Sequence, residues 1–127
     1  MRAAVLSAAM ILVACTEQAP LASDFVPDYL GAEITQLAGD LVQVEARMTK
    51  AGTASNVFAY ADCAVASFMQ EDAVPYARYV RSNFDREAGV WAADVVYITS
   101  AERPRGIRVI DAAAVVAHCR QKRIPTV

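Results

Sequence analysis

Residues 41–49, LVQVEARMT, alternate apolar and polar side chains without a break. Val42, Val44, Ala46 and Met48 share one face and Gln43, Glu45, Arg47 and Thr49 the other, which is the period of a strand with one face buried. Ala51-Gly52 ends it. The period then changes over residues 54–71, ASNVFAYADCAVASFMQE. Val57, Tyr60, Ala61, Ala64, Ala66 and Phe68 fall near helical spacing, Thr53 or Ser55 can cap, and Pro75 blocks smooth continuation. This segment predicts a helix with Cys63 on or near its buried face.

Residues 76–84, YARYVRSNF, show mixed alternation and predict a second strand, closed by a turn over 85–89. Residues 91–100, WAADVVYITS, predict a third, because aromatic and β-branched side chains suit a pleated sheet. The loop 101–106, AERPRG, leads into IRVIDAAAVVA, expected as the hairpin partner of 91–100. It is read as strand through about Val116, followed by a short helical turn carrying Cys119. A helix starting at Asp111 is the alternative, since Asp111 is an N-cap type and DAAAVVAHCRQKR ends in basic residues. Residues 29–39 are ambiguous: Tyr29, Leu30, Ile34 and Leu37 fit a short helix, while Gly31 and Gly39 oppose a long one.

These elements sum to one α+β domain. It is a mainly antiparallel four-stranded sheet with one principal helix packed on a face, in the order strand-helix-strand-strand-strand. The expected last hairpin is apolar on both sides, with Trp91, Val95, Tyr97 and Ile110 on one and Val96, Ile98, Val109 and Val115 on the other. One helix covers one side. The other needs residues 25–37, a partner or a bound apolar molecule.

The N-terminal pattern is of another kind. Arg2 precedes an unbroken run of small and apolar residues over 3–14, which ends Leu12-Val13-Ala14-Cys15 and gives way to the polar TEQAP. The run is shorter than the ~20 residues a spanning helix needs. The tetrapeptide resembles the lipobox of bacterial lipoprotein signal peptides, in which the Cys thiol receives a diacylglycerol group. The resemblance implies a signal peptide over 1–14, a lipidated N-terminus and flexible tether over 15–28, and the α+β domain over 29–127. It also implies a membrane partner reached through the lipid, and a periplasmic location. Thr16 after the Cys, where Asp would favour inner-membrane retention, leans toward the outer membrane. A buried strand or helix is the competing reading of residues 3–14.

Once Cys15 is acylated, Cys63 and Cys119 remain and allow one pairing. An oxidising periplasm makes Cys63–Cys119 a disulfide, with two buried free thiols as the alternative.

Composition narrows the class. With 127 residues, 56% apolar and 20% charged, the chain has room for one folded domain, and a net charge of −2 gives no overall drive toward nucleic acid. The charge is uneven: Glu17, Asp24, Asp28, Glu33, Asp40 and Glu45 are all acidic, whereas Arg103, Arg105, Arg108, Arg120, Lys122 and Arg123 stand against Asp111. Either the two ends solvate different faces or the basic end meets an anionic partner such as a lipid headgroup.

Candidate chemistry is thin. His118 is the single histidine and adjoins Cys119, but neighbours in sequence diverge on a strand or a helix and do not pair easily. No carboxylate cluster has metal-ligand spacing, and no CxxC or phosphate loop occurs, so neither a metal nor a cofactor is expected. Asp94 and Asp111 would lie diagonally in the expected hairpin and could do acid–base work, with ion pairs to arginines as the plainer role. Tyr76, Arg78, Tyr79 and Arg81 interleave aromatic and basic groups, which reads as cation–π packing rather than nucleic-acid binding.

The chain as a whole resembles small uncharacterised lipoproteins of alphaproteobacteria, particularly the Rhodobacter group. The resembling residues are the lipobox at 12–15, Tyr60-Ala61-Asp62-Cys63, Ala77-Arg78-Tyr79-Val80-Arg81, residues 91–97, Ile110-Asp111, Cys119 and the ending Ile124-Pro125-Thr126-Val127. That resemblance implies no activity and no site residue beyond Cys15. The expected function is a non-catalytic, lipid-anchored envelope protein with an interaction or structural role. The alternative is a lipid-anchored module for a small apolar or anionic ligand.

Overall fold

The computed structural model describes residues 26–126. The expected signal peptide, Cys15 and the tether as far as residue 25 lie outside the described residues. Seven elements follow in order: β1 (Asp28–Gln36), β2 (Leu41–Thr49), α1 (Ala54–Glu71), β3 (Tyr76–Glu87), β4 (Val90–Ser100), β5 (Val109–Asp111) and α2 (Ala112–Lys122). The strands form one sheet in the order β1-β2-β4-β3-β5, antiparallel at every pairing.

The alternation in β2 sets the core. Val42, Val44, Ala46 and Met48 are buried under α1, together with Val95 and Tyr97 of β4. From the helix side come Val57, Ala61, Ala64, Val65 and Met69, the side chains that the 3.6-residue period brings to one face. Asn56 starts α1 by accepting hydrogen bonds on Oδ1 from the N–H groups of Gly52 and Thr53, both at 2.9 Å. Its end is closed by the Val74 N–H donating to the Met69 carbonyl at 2.9 Å, after which Pro75 turns the chain into β3.

The α+β class and the antiparallel sheet stand, but the described residues form five strands and two helices. The extra strand is β1. Tyr29, Ala32 and Ile34 face the helices, and a bulge between Tyr29 and Gly31 shifts the alternation by one residue. That shift is why Tyr29, Leu30, Ile34 and Leu37 looked equally compatible with a helix.

The last segment differs more. The strand β5 has three residues and pairs with β3, through Arg78↔Val109, Ala77↔Ile110 and Tyr76↔Asp111, rather than with β4 as a hairpin. Residues 112–116, expected as strand, belong to α2. Asp111 caps it, accepting from the Ala114 N–H at 3.3 Å. Ala112, Val116 and Cys119 are its buried positions, an i, i+4, i+7 series. The helix preference of three successive alanines outweighs the strand preference of Val115-Val116.

A disulfide joins Cys63 to Cys119, and because the helical turn expected around Cys119 is the full helix α2, the link runs from α1 to α2. Both helices lie on one face of the sheet. Val95, Tyr97 and Ile110 are buried there, and Trp91 packs at its margin. Val96, Ile98 and Val109 belong to the opposite face, as expected, whereas Val115 packs against the core from α2.

Candidate functional site

The most concentrated polar chemistry among the described residues lies inside the helix–sheet interface. Asp62 comes from the middle of α1, one residue before the disulfide. Tyr79 of β3 and Tyr97 of β4 are register partners, and both face α1. The Tyr97 hydroxyl donates to Asp62 Oδ1 at 2.7 Å and the Tyr79 hydroxyl to Oδ2 at 2.5 Å. The two rings lie 5.2 Å apart, and the Arg108 guanidinium stands 5.0 Å from the centre of the Tyr79 ring.

Electrostatics follow from burial. Desolvation raises the Asp62 pKa, while the Tyr79 and Tyr97 hydrogen bonds and the Arg108 charge pull it back down. Both tyrosines are raised, first by burial and then by the neighbouring carboxylate, so their protons stay on oxygen. A carboxylate with each oxygen taken by a phenol is well placed to fix a helix on a sheet. It is poorly placed to accept a proton from a bound molecule. Charge-assisted hydrogen bonds of this kind are the stronger ones.

The helical spacing carried a signal for Asp62. It stands four residues before Ala66 and seven before Met69, both buried, so a charged group falls on an apolar stripe and calls for a partner. Its two tyrosines become partners only through the β3–β4 register.

The other candidate residues are dispersed. His118 is exposed on α2, while Cys119 is buried in the disulfide. Asp94 and Asp111 are not brought together, because β3 lies between their strands. Asp94 accepts from Gln43 Nε2 at 2.9 Å and pairs with Arg81 at 3.7 Å, and Asp111 is the α2 cap. Tyr76 and Tyr79 do carry cation–π contacts, but with arginines from the loop after β4 and not with the interleaved Arg78 and Arg81: Arg103 lies 5.7 Å from the Tyr76 ring and Arg108 over Tyr79, while Arg81 pairs with Asp94. Among the described residues no group of three or more His, Cys, Asp or Glu side chains is placed to hold a metal ion. No helix among them is long and apolar enough to cross a membrane.

The sheet face away from the helices carries two kinds of row. Leu41, Ile98, Arg78 and Val109 stand side by side across β2, β4, β3 and β5. Further along, Glu33, Glu45 and Asp94 are successive partners across β1, β2 and β4. A depression of about 290 Å³ opens beside that second row, with Glu45, Arg47, Asn83, Asp85 and Asp94 around Ala92.

The fold and its internal polar pin define a disulfide-stapled α+β module, with helices on one face of an antiparallel sheet. The chain belongs to the YNQ4 C-terminal domain family, whose model matches residues 29–123. It is 31% identical over 104 residues to an uncharacterized 26.9 kDa protein in the nqo8 5′ region of Paracoccus denitrificans. That match covers 77% of this chain and 41% of the relative, so the chain spans about two fifths of the length of that curated protein. No solved structure matches it.

Proposed function

We propose that the chain is a lipid-anchored protein of the bacterial cell envelope that faces the periplasm, leans toward the outer membrane and works through protein contacts without catalysis. The observation that carries this reading is the Cys63–Cys119 bond joining α1 to α2, since disulfides persist in oxidising compartments. The Leu12-Val13-Ala14-Cys15 motif supplies the route to that compartment and the attachment point. The uncovered sheet face, with Leu41, Ile98 and Val109 in one row interrupted by the exposed Arg78, supplies the contact surface. A module for a small apolar or anionic ligand is the weaker reading: the sheet-face depression sets Glu45, Asp85 and Asp94 against Arg47, a balance that disfavours an anion, and these charged groups on its rim do not suit an apolar one.

Mass spectrometry of the protein recovered from membranes, with and without reduction, tests it. The expected result is loss of residues 1–14, an acylated Cys15 and a two-hydrogen mass gain on reduction. A full-length N-terminus with free Cys63 and Cys119 thiols would overturn it.

A further inference from the structure

Residues 101–108 join β4 to β5 and contain the run Arg103-Pro104-Arg105-Gly106-Ile107-Arg108. Ile107 is wholly exposed, at 102% of its reference area, the highest value among the large apolar side chains described. Single exposed apolar residues are ordinary on protein surfaces. Ile107 differs in its setting. Arg103, Arg105 and Arg108 flank it, all exposed, and Glu102 is the single carboxylate of the loop. The ion pairs among the described residues are Lys50–Asp28 and Arg81–Asp94, and none of the loop arginines takes part.

Two of these cations are held in place. Arg103 lies 5.7 Å from the Tyr76 ring centre and Arg108 5.0 Å from that of Tyr79, contacts that hold each guanidinium beside the sheet. Gly106 adopts φ 139°, a conformation that side-chain-bearing residues rarely take, and it directs Ile107 away from the domain. An apolar tip flanked by Arg103 and Arg105, which make no ion pair, and by Arg108, whose charge is shared with Asp62, matches one chemistry well: a surface that is apolar a few ångströms down and lined with phosphates on top.

We propose that this loop is a membrane-contacting element, with Ile107 entering the headgroup–acyl boundary of an anionic bilayer and Arg103, Arg105 and Arg108 binding lipid phosphates. The proposal rests on the envelope reading for the presence of the bilayer, and it adds a second point of attachment. Reach permits both. Asp28 enters the sheet beside Thr49 and Val90, at the end opposite the loop. The chain from Cys15 to Asp28 spans up to ~45 Å when extended, against roughly 37 Å for the length of β4. A lipid at Cys15 and the loop can therefore touch one membrane together. Contact at the loop would set the orientation of the domain, which a single point of attachment leaves free.

Vesicle sedimentation with the full chain carrying Cys15→Ser tests the loop apart from acylation. The vesicles are phosphatidylcholine alone, or phosphatidylcholine and phosphatidylglycerol in equal parts. The protein is expected to favour the anionic vesicles and to lose that preference in high salt. Ile107→Ser weakens binding to them about tenfold. Arg103→Gln with Arg105→Gln weakens it about 25-fold, at roughly fivefold per cation. Arg108 is left in place because it also faces Tyr79 and Asp62, and thermal melts confirm that the variants stay folded. Unchanged vesicle binding in both variants overturns the proposal and points to a protein as the loop's occupant. Competition by inorganic phosphate together with an inert Ile107→Ser also overturns it, in favour of a free-phosphate site. An unmodified Cys15 in the native protein refutes the anchor while leaving the vesicle result standing.

Discussion

Tyr97 has no solvent exposure, and its hydroxyl donates a 2.7 Å hydrogen bond to Asp62 Oδ1 across the helix–sheet interface. The bond ties the middle of α1 to the central strand, and Tyr79 ties the other carboxylate oxygen to β3. Tyr97→Phe keeps the ring and its packing but leaves Oδ1 without that partner. Removing one member of a buried pair costs about 1–3 kcal/mol, more when the partner is charged. The expected outcome is a lower midpoint in urea with an unchanged slope, since the fold and the surface exposed on unfolding stay the same.

Asp62 also gives the stability a specific pH dependence. Its pKa lies above the ordinary value of 3.8, with burial as the main cause. The native state therefore holds this proton more tightly than the unfolded chain does. Stability contributed by Asp62 rises as pH falls through the raised native pKa, and it levels off below the unfolded value. Other carboxylates are present in both proteins, so the difference between wild type and Asp62→Asn isolates this group. Urea unfolding from about pH 8 to about pH 4 should show wild type gaining on Asp62→Asn as the pH falls. A constant difference, or one that shrinks toward acid, would contradict the direction of the shift.

Much of this fold is legible in local pattern, and the remainder depends on pairing. β2, α1, β3 and β4 emerge from period and residue type, and the Cys63–Cys119 pairing from counting cysteines under an oxidising assumption. What local pattern lacks is register. Gly31 breaks the alternation of β1, so a bulged strand resembles a short helix over 29–37. Val109-Ile110 looks like the natural hairpin partner of 91–100, yet the intervening loop carries it past β4 to the far side of β3. Asp62 belongs with Tyr79 and Tyr97 only once β3 and β4 are aligned. The expected Asp94–Asp111 pair fails for the same reason, because a strand inserted between two partners separates them.

The disulfide closes a chain segment with a sequence separation of 56 residues, and both sulfurs sit in the interface between α1 and α2. Chain-entropy reasoning gives about 4 kcal/mol for a loop of this length. Replacing Cys63 and Cys119 together by alanine should lower stability by that order. The larger local effect should fall on α2, which is held mainly through α1 and the short β5. Hydrogen exchange should show α2 amides losing protection before those of β2 and β4. Equal loss throughout the sheet would mean that α2 is integral to the core rather than stapled onto it.

The β3–β4 hairpin closes through Ala88-Gly89, between the paired residues Glu87 and Val90. Both turn residues have positive φ, 50° for Ala88 and 78° for Gly89, the left-handed geometry of a two-residue turn whose twist matches the strands. Gly89 meets this requirement without strain, whereas Ala88 carries a Cβ that the left-handed region disfavours by about 1 kcal/mol. Asparagine tolerates that region and gives the Asn-Gly pair favoured in such turns. Ala88→Asn should therefore stabilise the domain by roughly 0.5–1 kcal/mol, raising the melting temperature by a few degrees. The turn lies at the end of the sheet away from loop 101–108, so vesicle binding should be unaffected. A melting temperature that falls on Ala88→Asn would show that the alanine methyl makes a contact worth more than the strain it carries.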